Sequence, residues 1–242
     1  MRPGHPSLFR VLFIRLLIAG VLGLAALALL VQQGLITVPD GLNPFVPLNV
    51  RDEPNWLTGY KLSRIELNAP ECLAVLTGSP VGFTPVPNQV TGQGCGFTNV
   101  VDVDRSSVTF NNRFPATCPL AVSWAMFELH VLQPAALQYL GQEVARVEHF
   151  GTYACRNLYH RHTGRRSEHA TANAIDIAGF RLADGTQITV LADWNGSASR
   201  ATFLRALRDG ACRFFDVVLS PDYNEAHRDH FHFDMGDREA CR

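Results

Sequence analysis

An uninterrupted run of apolar residues and glycines, residues 16–31, follows Arg2, Arg10 and Arg15 near the N-terminus. Basic residues before such a run are typical of a signal peptide or a signal anchor. Because a membrane-spanning helix needs about 20 residues, we expect an uncleaved, single-pass anchor over residues 16–34. The positive charges then keep residues 1–15 on the cytoplasmic side, and the rest of the chain crosses the membrane. A cleaved signal peptide, cut near residues 26–28, is the alternative.

The composition predicts a folded domain that is stabilised by disulfides. Hydrophobic residues make up 47% of the chain, which is enough for a buried core, and the net charge of −1 argues against nucleic-acid binding. An even number of cysteines without a C-x-x-C pair in an exported chain favours disulfides. Proximity in sequence favours Cys72–Cys95, Cys118–Cys155 and Cys212–Cys241.

Residues 35–58 are rich in proline and are expected to form a periplasmic linker between the anchor and a domain at residues 59–242. In that domain we expect a helix that begins near Cys118 and is broken by Pro134, a short second helix to Leu140, and a later helix that ends near Arg208. Strands are expected at 100–103, 108–110, 144–150, 174–180, 186–191, 215–219 and 230–234. Because βαβ alternation is not apparent, the pattern predicts an α+β fold with a small antiparallel sheet flanked by helices.

Two short segments concentrate side chains that bind metals. The first holds His169 and Asp176, and the second holds His230 and His232. Residues two apart on a strand face the same side, so His230 and His232 are predicted to share one face of a strand. Two histidines and one carboxylate form a usual catalytic zinc set, with a fourth position left for water.

These segments resemble the signature of the zinc peptidases of the lysostaphin, D-alanyl-D-alanine metallopeptidase and sonic hedgehog types. That signature is S-x-H-x-x-G-x-A-x-D, followed some tens of residues later by H-x-H. The matching positions are Ser167, His169, Ala174, Asp176, His230 and His232. Ala172 stands where these peptidases have glycine, and Asn173, which tolerates left-handed backbone, is expected to take the turn instead.

The resemblance implies a role for each of these residues. His169, Asp176 and His232 would be the ligands of a Zn²⁺ ion, and His230 would be the nearby catalytic histidine. Arg156 is the position that we match to an arginine found upstream of the first histidine in these enzymes.

A closer resemblance covers roughly residues 55–236. It is to the extensin-like C-terminal domain proteins of Gram-negative cell envelopes, and it implies an envelope location. The segments that carry it are residues 155–156, 167–170, 174–177, 220–224 and 227–232. By this resemblance the anchor would lie in the inner membrane and the domain in the periplasm.

Three further polar residues are expected to support the metal site. Ser167 belongs to the signature, His227 stands three residues before His230, and Asp234 is expected on the same strand face as the histidines. Asp234 would accept a hydrogen bond from an imidazole N–H, as the neighbours of metal ligands commonly do.

The sequence therefore favours a membrane-anchored zinc metallopeptidase that acts on peptide stems or cross-links of peptidoglycan. A zinc-stabilised envelope module that binds without catalysis is the alternative. A purely structural domain held by disulfides is a third hypothesis, which the two histidine segments argue against. His230 favours the enzyme, because a binding module needs three ligands but no base.

Overall fold

The computed structural model describes residues 8–242, in which one compact unit extends to Val46 and a second spans Pro47–Arg242. The first contains helix α1, Leu8–Gln32, which is apolar on all sides and has a mean hydropathy of 2.5. A single 3-10 turn, Asp40–Leu42, follows it. A helix of this length and composition could serve as a membrane anchor or as a signal sequence.

The second unit is a mixed α+β domain, which confirms the expected fold class. Its helices are α2 Thr58–Leu67, α3 Ala69–Thr77, α4 Cys118–Phe127, α5 Gln133–Leu140, α6 Val190–Asp193 and α7 Ala198–Ala211. Its strands are β1 Gly82–Val86, β2 Gln89–Gly92, β3 Cys95–Phe97, β4 Val100–Arg105, β5 Thr109–Thr117, β6 Val144–Gly151, β7 Ala174–Leu182, β8 Gln187–Thr189, β9 Val217–Leu219, β10 Phe231–Asp234 and β11 Ala240–Cys241.

Within residues 8–242, the main sheet has nine strands in the order β1-β4-β5-β6-β7-β10-β9-β11, with β8 paired to β7. The sheet is larger than the small antiparallel sheet that was expected, and among the described strands it is antiparallel except at two pairs. Strand β5 pairs parallel to β6, and β9 pairs parallel to β11. The long helical crossover between β5 and β6 explains the first parallel pair, because parallel neighbours need such a connection.

The crossover helix is the centre of the core rather than an amphipathic surface helix. All ten residues of α4 are buried, and the Thr117 side chain caps its N-terminus by accepting a hydrogen bond from the Leu120 N–H at 3.4 Å. The prediction that Pro134 breaks the helix was wrong. A π-helical turn, Glu128–Leu132, connects α4 to α5, so that Pro134 lies in the first turn of α5, where its missing N–H costs little.

The strand predicted at residues 186–191 is shorter than expected. Strand β8 ends at Thr189, whose side chain accepts a hydrogen bond from the Ala192 N–H at 3.2 Å and caps the helical turn α6. A threonine that caps a helix competes with strand continuation, which accounts for the difference.

All six cysteines lie in the described part of the chain and all are paired. The bonds are Cys72–Cys118, Cys95–Cys155 and Cys212–Cys241. Only the last agrees with the pairing favoured by sequence proximity. The other two pairings were wrong because α3 packs against the N-terminal part of α4, whereas the β2–β3 hairpin lies beside the segment that follows β6.

Candidate metal centre

Two neighbouring strands and one tight turn bring the predicted ligands together. Asp176 on β7 and His232 on β10 are directly opposite each other in the antiparallel pair, so their side chains lie side by side. His169 lies in the 3-10 turn Glu168–Thr171 just before β7, where the Ser167 hydroxyl accepts a hydrogen bond from the His169 N–H at 3.4 Å. The turn closes through Ala172.

Ala172 itself adopts the left-handed conformation, with φ 57°. Asn173 was expected to adopt the left-handed conformation at this turn, but its side chain instead links two segments by hydrogen bonds. Its side-chain amide donates to the Met235 carbonyl at 2.7 Å and to the Glu168 carboxylate at 3.2 Å. The Ala172 methyl group is buried. Its left-handed backbone conformation costs about 1 kcal/mol, because the Cβ atom approaches the following carbonyl oxygen.

The three side chains are close enough together to hold one small cation. His169 Nε2 lies 3.1 Å from an Asp176 oxygen and 3.2 Å from His232 Nδ1, and His232 Nδ1 lies 2.8 Å from the other Asp176 oxygen. A tetrahedral zinc ion with bonds of 2.0–2.1 Å separates its ligand atoms by about 3.3 Å. The separations of 2.8–3.2 Å are close to this value, although Asp176 faces the two histidines through different carboxylate oxygens.

The outer nitrogen of each histidine has an oxygen partner. His169 Nδ1 lies 3.1 Å from the Thr152 carbonyl oxygen, and His232 Nε2 lies 2.9 Å from an Asp234 oxygen. An N–H at these outer positions leaves the inner nitrogens free to ligate a metal, which is the arrangement that orients histidines in metal sites. Asp234 thus has the contact that the sequence predicted. Thr152 was missed, because the contact uses its backbone oxygen and leaves no side-chain signal.

The electrostatics of the cluster favour a cation among these groups. Burial alone would raise the pKa of Asp176, but hydrogen bonds from His169 and His232 outweigh it and hold that pKa well below its usual range. Burial alone would lower the pKa of His232, but Asp176 and Asp234 outweigh it and raise that pKa to about 9. Without metal, a proton therefore occupies the position that a divalent cation would take on binding.

The other two predicted histidines border the cluster without joining it. His230 precedes β10, and its Nε2 lies 3.7 Å from an Asp176 oxygen. The His227 ring centre lies 5.2 Å from that of His230, and His227 Nδ1 lies 2.8 Å from Asn224 Oδ1. Burial, followed by the nearby His232 and His230 rings, lowers the pKa of His227 to about 4, so its imidazole is neutral near pH 7.

A cavity of about 630 Å³ opens beside the cluster. Asp176, His230 and His232 form part of its wall, and Arg156 lines it as well. Within the described part of the chain, the Arg156 guanidinium makes no hydrogen bond or ion pair, so it is available to an anionic group in the cavity. Tyr223, which lies in the segment 220–224 of the family resemblance but was given no role there, also lines the cavity.

The fold and the cluster define a class: an α+β domain with a buried two-histidine, one-aspartate group at the wall of an open cavity. A family model described as "Extensin-like protein C-terminus" matches residues 70–242. The chain therefore belongs to the extensin-like C-terminal family. A search of curated proteins gave no match, and a search of solved structures gave none either.

Proposed function

We propose that this protein is a zinc metallopeptidase, anchored in the inner membrane by α1, that acts in the periplasm on peptide stems or cross-links of peptidoglycan. The observation that carries the proposal is the cluster of His169, Asp176 and His232, with ligand atoms within 4.8 Å of one another at the wall of a cavity. The resemblance of these segments to the lysostaphin and D-alanyl-D-alanine peptidase signature supports the same reading, as does the envelope location implied by the family.

When bound, zinc would supply Lewis-acid polarisation of the scissile carbonyl and an acidified water. Side chains of this protein would transfer the proton, bind the negative charge and orient the ligands. His230, whose Nε2 faces the ligand set without belonging to it, accepts a proton from the attacking water. Arg156 donates hydrogen bonds to the developing oxyanion or to a substrate carboxylate, for which its fork of N–H groups is suited. Asp234 and the Thr152 carbonyl keep the two ligand imidazoles oriented.

Two features argue against a site used only for binding or stability. A structural zinc site is closed by four protein ligands, whereas this cluster has three and adjoins a cavity. A binding module also has no use for a third imidazole, that of His230, held 3.7 Å from the ligand carboxylate.

The test uses the full chain purified in detergent. Zinc is measured by elemental analysis, and turnover is measured on purified sacculi and muropeptides. We expect one zinc per chain, which is lost in His169→Ala, Asp176→Ala and His232→Ala. His230→Ala should keep its zinc and lose about 10²–10⁴ in rate, the usual contribution of a general base. His162→Ala changes an exposed histidine that does not line the cavity and is the matched control.

Two results would contradict the proposal in different ways. Stoichiometric zinc in His232→Ala would show that the ligand set is wrong. One zinc per wild-type chain without turnover on any muropeptide or sacculus would favour the binding module.

A further inference from the structure

The imidazole of His230 is fixed from several sides. Its Nδ1 lies 2.8 Å from an Asp229 carboxylate oxygen. The Phe150 ring meets it edge-on with ring centres 5.7 Å apart, and the His227 ring lies on another side. With the ring held in this way, Nε2 points towards the ligand set, 3.7 Å from an Asp176 oxygen.

The hydrogen bond to Asp229 decides which nitrogen carries the proton. An ionised carboxylate only accepts hydrogen bonds, so the imidazole must donate through Nδ1–H. In a neutral imidazole the other nitrogen then carries the lone pair. That nitrogen is Nε2, which faces the ligand set. The opposite tautomer would direct an N–H at the metal site and could not accept a proton there.

The neighbouring charges leave Asp229 free for this role. Arg228, the adjacent cation, forms its ion pair with Glu225 on the same turn. Among the residues that the structure describes, Asp229 forms its ion pair with His230. The Asp229 side chain is 38% exposed, and a partly hydrated contact of this kind adds little to folding stability. The contact therefore orients the His230 ring and contributes little to the free energy of unfolding.

We propose that Asp229 is a positioning residue, which holds His230 as the Nδ1–H tautomer so that the Nε2 lone pair faces the metal-binding set. The catalytic part of this inference rests on the proposed peptidase function. The tautomer itself does not, because it can be measured without substrate.

The first arm of the test is spectroscopic. The full chain, labelled with ¹⁵N-histidine and loaded with zinc in detergent, is studied by two-bond ¹H–¹⁵N correlation at a pH where an ordinary imidazole is neutral. The His230 signals are assigned by their loss in His230→Gln. We expect Nδ1–H in the wild type and in Glu225→Gln, the control that removes another carboxylate of the same turn. We expect Asp229→Ala to shift His230 towards Nε2–H. A wild-type signal from the Nε2–H tautomer, or no change in Asp229→Ala, would overturn the assignment.

The second arm is kinetic. Asp229→Ala should lower kcat about 10- to 100-fold, the usual cost of losing a partner that orients a site residue, while KM and zinc content stay unchanged. If Asp229 acts only through His230, Asp229→Ala has no further effect on kcat in the His230→Ala background. A full additional loss in the double variant would overturn the positioning role. Absence of turnover in the wild type would overturn the peptidase proposal, and the tautomer result would still decide the role of Asp229.

Discussion

The metal-free protein should lose stability as the pH rises from 6.5 to 9. His232 has an ordinary pKa of 6.5 when unfolded and a pKa of about 9 when folded, because Asp176 and Asp234 outweigh the effect of burial. Below pH 6.5 the imidazole is protonated in both states, and its contacts with the two carboxylates contribute fully. As the pH rises through 9 the folded state loses the proton, and that contribution is lost. The difference in pKa corresponds to about 3 kcal/mol.

Asp216 and His227, whose pKa values are also strongly shifted, titrate below this pH window. Burial and then Asp234, Glu239 and Asp237 raise the pKa of Asp216 to about 6, so its contribution is lost between pH 3.8 and 6. His227, with a pKa lowered to about 4, destabilises the fold only as the pH falls below 6.5. We therefore assign a decline between pH 6.5 and 9 to His232, and the Asp234→Asn variant described next tests that assignment.

The assay is urea unfolding with a chelator present and the disulfides intact, at several pH values from 6.5 to 9.5. The reference is the zinc-loaded protein without chelator, which should not show the decline, because the metal replaces the proton on Nδ1 of His232 and the Nε2–H towards Asp234 stays in place. Asp234→Asn removes one of the two carboxylates, so its decline should be smaller and centred at lower pH. If the metal-free protein is equally stable, or more stable, at pH 9 than at pH 6.5, the electrostatic account of the cluster is wrong.

Two further predictions concern stability. Glu128 is 1% exposed and accepts hydrogen bonds from Trp124 Nε1 at 2.9 Å and the Ser107 N–H at 3.0 Å. The Ser106 and Ser107 hydroxyls donate to the same carboxylate. Glu128→Ala removes the shared acceptor of these donors and should cost about 3 kcal/mol in urea unfolding, while an unchanged midpoint would contradict this account. Ala172→Gly relieves about 1 kcal/mol of left-handed strain but loses a buried methyl group worth about 0.8 kcal/mol. Its free energy of unfolding should change by less than about 0.5 kcal/mol, and a larger loss in unfolding experiments would show that the alanine is not strained.

The candidate site could be anticipated from sequence because its geometry follows from local rules. His232 lies opposite Asp176 on the neighbouring strand, and the alternation of a strand places Phe231 and Phe233 in the core, where both are fully buried. The position of His169 could not be predicted from strand alternation, because this residue lies in a turn. The motif identified it, but only the turn closed by Ala172 brings its ring to the other two ligands.

The elements that could not be anticipated depend on long-range contacts. The parallel pairing of β5 with β6 requires the crossover helix to pack behind the sheet, and no local pattern encodes this. Pro134 predicts a helix end, but the preceding π-helical turn lets the chain continue. The Asp229–His230 hydrogen bond was also missed, because an acid beside a histidine in sequence has no fixed meaning until the backbone turns one towards the other.

The disulfides Cys72–Cys118 and Cys95–Cys155 interleave along the chain, which restricts the order in which the chain can be oxidised. When a chain emerges from its N-terminus, Cys72 and Cys95 are available together before either native partner has appeared. Oxidation in order of emergence therefore joins these two first, and thiol–disulfide exchange must undo the bond once Cys118 and Cys155 follow. We therefore expect oxidative folding of this domain to be faster when a thiol–disulfide exchange catalyst is present along with the oxidant.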